Sequence, residues 1–212
     1  QEWGLVDESI AKSKFDQTVQ QRAQEMASKT ADKSGAGLPL TPVEVERAGG
    51  KGIYTAAYKY VTLTVKKDER LAEIVVRGPS SAEALTPESL RAAGNGLWLF
   101  RVFRELNDAL LDLRFNHDTA GLILLSTEGD ADKVRAADKA LLDLEAAGDW
   151  LAHEIRLYVQ RTLKRLDLSA RSIFAIIKQG SCFAGSLFEL AIAADRSYML
   201  DDDDAGARVR LG

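Results

Sequence analysis

The chain has 212 residues, 46% hydrophobic and 28% charged, with a formal net charge of −4. That size and composition fit one soluble globular domain, or one domain with a flanking piece. The charge supplies no basic surface, so nucleic acid is not an expected partner, and no apolar run approaches the roughly 20 residues that cross a bilayer. A single cysteine, Cys182, excludes an internal disulfide framework and fits a reducing, cytoplasmic compartment. The start, Gln1-Glu2-Trp3-Gly4-Leu5-Val6, has the character of neither a signal nor a transit peptide, and without an initiator Met it reads as the start of a fragment.

In chain order, Phe15, Val19, Ala23, Met26 and Ala27 recur at helical spacing, which predicts an amphipathic helix over about Asp16 to Ala31. Five glycines and two prolines between Ser34 and Gly52 read as a linker, extended here to residues 34–57. Alternation over Tyr58 to Val65 predicts a strand, a polar turn follows at Lys66 to Arg70, and Leu71 to Arg77 predicts its hairpin partner. Trp98, Val102, Leu106, Ala109, Leu110 and Leu113 mark a long helix. The continuous apolar run Ala120 to Ser126 reads as a strand buried on both faces, and Ile173 to Ile177 as its parallel neighbour. Two helices, about 133–146 and 150–166, separate them. After Ile177 come a glycine turn, a short apolar helix from Ser186 to Ala194, a strand over Arg196 to Leu200, and a possible last strand after Ala207. Strands alternating with helices make the fold class α/β.

The segment from Ile176 to Asp195 carries the chemistry. A strand enters a tight turn, Gly180-Ser-Cys-Phe-Ala-Gly185, and the turn opens a helix whose first N–H groups could hold an oxyanion. Glu189 follows three residues after Ser186 and could move a proton beside that oxyanion. The same spacing, Ser186-x-x-Glu189, is also a helix-capping box, and on the residues alone the structural reading is favoured. Cys182 in the turn is a weak candidate beside its reading as a small buried group. His117 and His153 lack metal-ligand spacing. Asp201 to Asp204 lacks the glycine and closing Glu of a calcium loop and reads as a solvated loop. The basic residues between Arg156 and Arg171 read as a solvated helix face that could meet phosphates.

Glu189-Leu190-Ala191 with Asp195, preceded by a strand and a glycine turn, resembles the signature of the crotonase (enoyl-CoA hydratase/isomerase) superfamily. Leu38-Pro-Leu-Thr-Pro42, Arg161 to Asp167, Ser169 to Phe174 and Gly180 to Gly185 resemble the second half of its benzoyl-CoA-dihydrodiol lyase branch, in which one polypeptide carries two such units. The resemblance spans nearly the whole chain. It implies a crotonase-like spiral of ββα units with two stacked sheets and outer helices, incomplete at the C-terminus. Residues 1–33 would be the closing helical part of a preceding unit, and 58–212 the second unit.

The resemblance also implies a CoA thioester substrate and no cofactor or metal. It makes Glu189 the candidate acid/base, with Gly185 and Ser186 in the oxyanion N–H region and Ser181 a candidate substrate contact. A homo-oligomer, a dimer favoured, is expected. Where the superfamily has consecutive glycines this chain has Gly185-Ser186-Leu187-Phe188, and its Gly-Ala-Asp turn reads Thr127 to Asp132. Three readings follow: a catalytic half of a ring-opening lyase, a non-catalytic half that supports packing or dimerisation, or an ordinary enoyl-CoA hydratase or isomerase.

Overall fold

The computed structural model describes residues 3–29, 36–81, 85–201 and 206–211. The chain divides into two compact units, Gln1–Ala36 and Gly37–Gly212. In the first, helix α1 (Phe15–Ser28) buries none of its residues, and Phe15, Val19 and Met26 of its apolar stripe are exposed. Arg22 pairs with Glu25 at 3.1 Å along the helix and with Glu8 at 3.4 Å. The expected end of this helix and the start of the predicted linker fall on residues 30–35, outside the described residues.

The second unit is built on one seven-stranded sheet whose spatial order follows the chain: β1 (Glu46–Gly50), β2 (Ile53–Ala57), β3 (Val61–Lys66), β4 (Leu71–Arg77), β5 (Leu122–Glu128), β6 (Ser172–Ile177) and β7 (Arg196–Met199). The first four strands are antiparallel; β4 through β7 are parallel. The predicted pairing of the two apolar runs holds, Leu122 lying opposite Ser172 and Leu125 opposite Ala175.

Between these strands lie α2 (Pro87–Ala93), α3 (Trp98–Asn116), α4 (Ala131–Ala146), α5 (Trp150–Asp167) and α6 (Gly185–Ile192). Each apolar position singled out in α3 is buried. So are Leu63, Ile74, Ile123, Leu125, Ile173 and Ala175, which share one face of the sheet by register.

Three expectations need correction. Residues 46–57 are not linker but the strands β1 and β2, joined at Lys51 and Gly52, whose φ angles of 48° and 80° suit the twist of a two-residue hairpin. Three of the five glycines that suggested a linker, Gly49, Gly50 and Gly52, serve that turn and an edge strand exposed along its whole length. Second, β5 and β6 are fully buried on one face only. Leu122, Leu124, Phe174 and Ile176 on the other are half-buried, because the helices cover one side. The described residues form this one sheet, and the second stacked sheet that the resemblance implied is not among them. Third, the expected strand after Ala207 is reduced to one bridge, Ala184 to Arg210. No helix among the described residues is long and apolar enough to cross a membrane.

Candidate functional site

The C-terminal ends of β4, β5 and β6 converge around the glycine turn, as ligand sites do in parallel sheets. Cys182 sits at the centre, fully buried, its N–H donating to the buried Thr127 hydroxyl at 2.9 Å. Its Sγ lies against two glycines: a Cβ on Gly78 would come within 3.3 Å of the sulfur, and one on Gly129 within 3.4 Å of it and 3.2 Å of the Gly78 Cα. Burial pushes the thiol pKa up, so Cys182 is a packed small group without thiolate character. Ser181 closes the turn: its hydroxyl accepts the Lys178 N–H at 3.0 Å, and its own N–H donates to the Lys178 carbonyl at 3.0 Å.

The helix opening after this turn departs from both sequence readings. Helix α6 has Ala184 at its N-cap with no side-chain cap of its own. Ser186 is therefore the second helical residue, and Ser186 with Glu189 does not form a capping box, which needs the N-cap and third helical positions. The cap comes from elsewhere. Asp138, in the middle of α4, accepts the Ser186 N–H on its Oδ2 at 2.6 Å. A carboxylate therefore occupies the positive end of α6, where an oxyanion would sit.

Gly185 makes this approach possible, with φ at 47° and no Cβ; a Cβ there would lie 2.1 Å from the Asp138 oxygen. Burial raises the Asp138 pKa to about 6, against the opposing pull of the Ser186 hydrogen bond. Its other oxygen, Oδ1, and the Ser186 hydroxyl are buried without partners among the described residues.

Glu189 stands on the exposed side of α6 and has no side-chain partner among the described residues. The turn after β5 offers no free donor at Gly129 either: that N–H donates to the Gly180 carbonyl at 3.0 Å, while Asp130 Oδ1 caps α4 through the Asp132 and Lys133 N–H groups. A cleft of about 270 Å³ opens nearby, walled by Pro79, Leu97, Trp98 and Ala137, but none of Ser181, Cys182, Gly185, Ser186 or Glu189 lines it.

The structure thus gathers Ser181, Cys182, Gly185 and Ser186 in one turn and leaves Glu189 exposed, outside that cleft. Asp138, the residue that completes the site, was missed by sequence reasoning. Its only mark in the sequence is a carboxylate amid alanines in α4, which is also how an exposed helix residue reads. His117 and His153 lie apart, and no cluster of metal-ligating side chains occurs among the described residues. Asp202 to Asp204 fall outside the described residues.

No protein-family model matches the chain. Among curated proteins it is similar to a benzoyl-CoA-dihydrodiol lyase of Aromatoleum evansii, 40% identical over 210 residues, an alignment covering 96% of this chain and 36% of that protein. The similarity thus runs along nearly the whole chain, which spans little more than a third of that relative. Among solved structures, an enoyl-CoA hydratase/carnithine racemase of Magnetospirillum magneticum aligns with a TM-score of 0.44 at 16% identity, over 66% of this chain and 47% of that one. An enoyl-CoA hydratase of Bacillus anthracis aligns with 0.33 at 12% identity, over 69% and 46%. These two likenesses are too slight to bear on function.

Proposed function

We propose that the chain is part of a benzoyl-CoA-dihydrodiol lyase, and that its second unit supports that enzyme without carrying the chemistry. The reaction is hydrolytic ring opening of 2,3-dihydro-2,3-dihydroxybenzoyl-CoA to 3,4-dehydroadipyl-CoA semialdehyde and formate. Support for the reaction is the 40% identity along 96% of the chain. One observation carries the supporting role: the Asp138 carboxylate already holds the Ser186 N–H. A thioester oxygen needs that donor as its negative charge grows, and a neighbouring carboxylate would repel the charge.

Glu189 in turn is exposed, and its carboxylate makes no hydrogen bond or ion pair among the described residues. The reading places the acid/base chemistry in another unit of the intact protein. It also makes the exposed Phe15, Val19 and Met26 of α1 the closing surface of a preceding crotonase-like unit. A cytoplasmic homo-oligomer, a dimer first, completes the proposal.

The test uses the intact protein and follows formate release from the dihydrodiol thioester. Glu189→Gln should keep turnover within about threefold of the native rate, because removing a true acid/base costs roughly two to four orders of magnitude. A hundredfold loss with an unchanged melting temperature would move the active site into this unit. Absence of formate release from the unaltered protein would reject the lyase assignment itself.

A further inference from the structure

The C-terminal end of α3 meets β1 and β2 in a polar cluster remote in sequence from the glycine turn. The Tyr54 hydroxyl donates to Asp112 Oδ2 at 2.5 Å, Asn116 Nδ2 to Asp112 Oδ1 at 2.7 Å, and the Tyr58 hydroxyl to Asp108 Oδ2 at 2.8 Å. Arg47 of β1 lies 3.3 Å from Asp108 and 3.8 Å from Asp112.

The imidazole of His117 is packed into this set. It is 7% exposed, and its ring centroid is 4.4 Å from that of Tyr54. Neither of its nitrogens has a hydrogen-bond partner among the described residues. Nε2 stops 3.9 Å from Asp112 Oδ1, beyond hydrogen-bond reach. A buried polar group without a partner costs about 1–3 kcal/mol, and a buried charge without one costs more.

We propose that protonation of His117 releases the β1–β2 hairpin from α3, making the hairpin a proton-operated latch. An imidazolium needs water or a carboxylate. The nearest carboxylate, Asp112, already accepts Tyr54 on one oxygen and Asn116 on the other. The Tyr54 ring packs on the imidazole, so a ring movement that brings Nε2 within reach of Asp112 disturbs Tyr54, and Tyr54 belongs to β2. Beyond Tyr54, the hairpin end is held to α3 by Arg47 and Tyr58 on Asp108, while β1 is the sheet edge and every residue of it is exposed.

The charged and titratable groups around the ring are Asp108 and Asp112 on α3, Arg47 on β1, Tyr54 on β2, Lys67 after β3 and Arg171 before β6. Burial pulls the His117 pKa below its usual 6.5, and Asp112 opposes this less strongly; Lys67 and Arg171 lower it further. With the packed state's pKa depressed, the released state binds the proton more tightly. The latch is therefore at full strength above about pH 6.5 and weakens as pH falls through the packed-state value.

The chain holds two histidines, so a His153→Gln background leaves one imidazole to follow by NMR. Hydrogen exchange of the β2 amides, corrected for the chemical rate, is measured on the full chain from pH 8 to pH 5. Protection of β2 should fall about tenfold for each unit by which the His117 pKa is depressed, with β5 and β6 unaffected. His117→Phe keeps a ring under Tyr54 and removes the proton, so the pH step should vanish. An equal step in His117→Phe, or no step in the native chain, would overturn the proposal. If the Phe variant does not fold, the His153→Gln titration decides: the Tyr54 ring signals must move with His117, and their standing still rejects the latch.

Discussion

Helices α5 and α6 begin in opposite ways. Helix α5 is capped by its own preceding residue: Asp149 Oδ1 accepts the Leu151 and Ala152 N–H groups at 2.9 and 3.0 Å, and Arg91 holds the other oxygen at 2.8 Å. Helix α6 has no local cap and takes one across space, from Asp138, 48 residues earlier in the chain. A local cap secures a helix as it forms. A cap borrowed from a neighbouring helix secures the packing of the two helices, and it fills a donor site that a ligand would otherwise compete for.

The contrast breaks most readily at Gly185. Replacing it with Ala puts a Cβ on a left-handed backbone and into the Asp138 oxygen, so both the conformation and the cap suffer. A loss of about 2–4 kcal/mol is expected in urea unfolding. If Gly185→Ala cost under about 0.5 kcal/mol, α6 would not depend on Asp138.

Asp149→Ala should cost less, about 1–2 kcal/mol, as the loss of a local cap and a partly buried ion pair. Its effect should be confined to α5, with hydrogen exchange rising in the first turn and α6 unchanged.

Asp138→Asn should be smallest at neutral pH. The amide oxygen can still accept the Ser186 N–H, and no buried charge remains. Because the folded pKa of Asp138 is raised to about 6 from 3.8, the native chain holds a stability increment at low pH that is lost as pH rises through that window. The Asn variant should flatten this part of the stability-against-pH curve and match or exceed native stability at pH 7.5. An unchanged slope between pH 4 and 6 would place the titration elsewhere.

The elements legible in the sequence were those whose signal is local. Leu71 to Arg77 and the β5 and β6 runs announce themselves by composition, and α3 by its period. The β1–β2 hairpin was hidden because Gly49, Gly50 and Gly52 read as flexibility, and a Lys-Gly turn is a weaker hairpin sign than Asn-Gly. Helix α2 was missed although Thr86 and Ser89 form a capping box around Pro87 at its start, since a seven-residue helix shows too little periodicity. In the site, the turn from Gly180 to Gly185 was visible and its chemistry was not. Whether Ser186 offers or withholds its N–H depends on Asp138, and no spacing rule links residues 48 apart on different helices.

The order of the sheet bears on how the molecule comes into being. From β1 to β7 every strand lies beside the one made just before it. A chain emerging from the ribosome can therefore extend its sheet at one growing edge, each new strand meeting a template already in place. Such a path needs no late insertion between two existing strands, the kind of non-local closure that slows folding. The Asp138 cap can close only once α6 has been synthesised and meets an α4 made earlier, before β7 completes the growing edge.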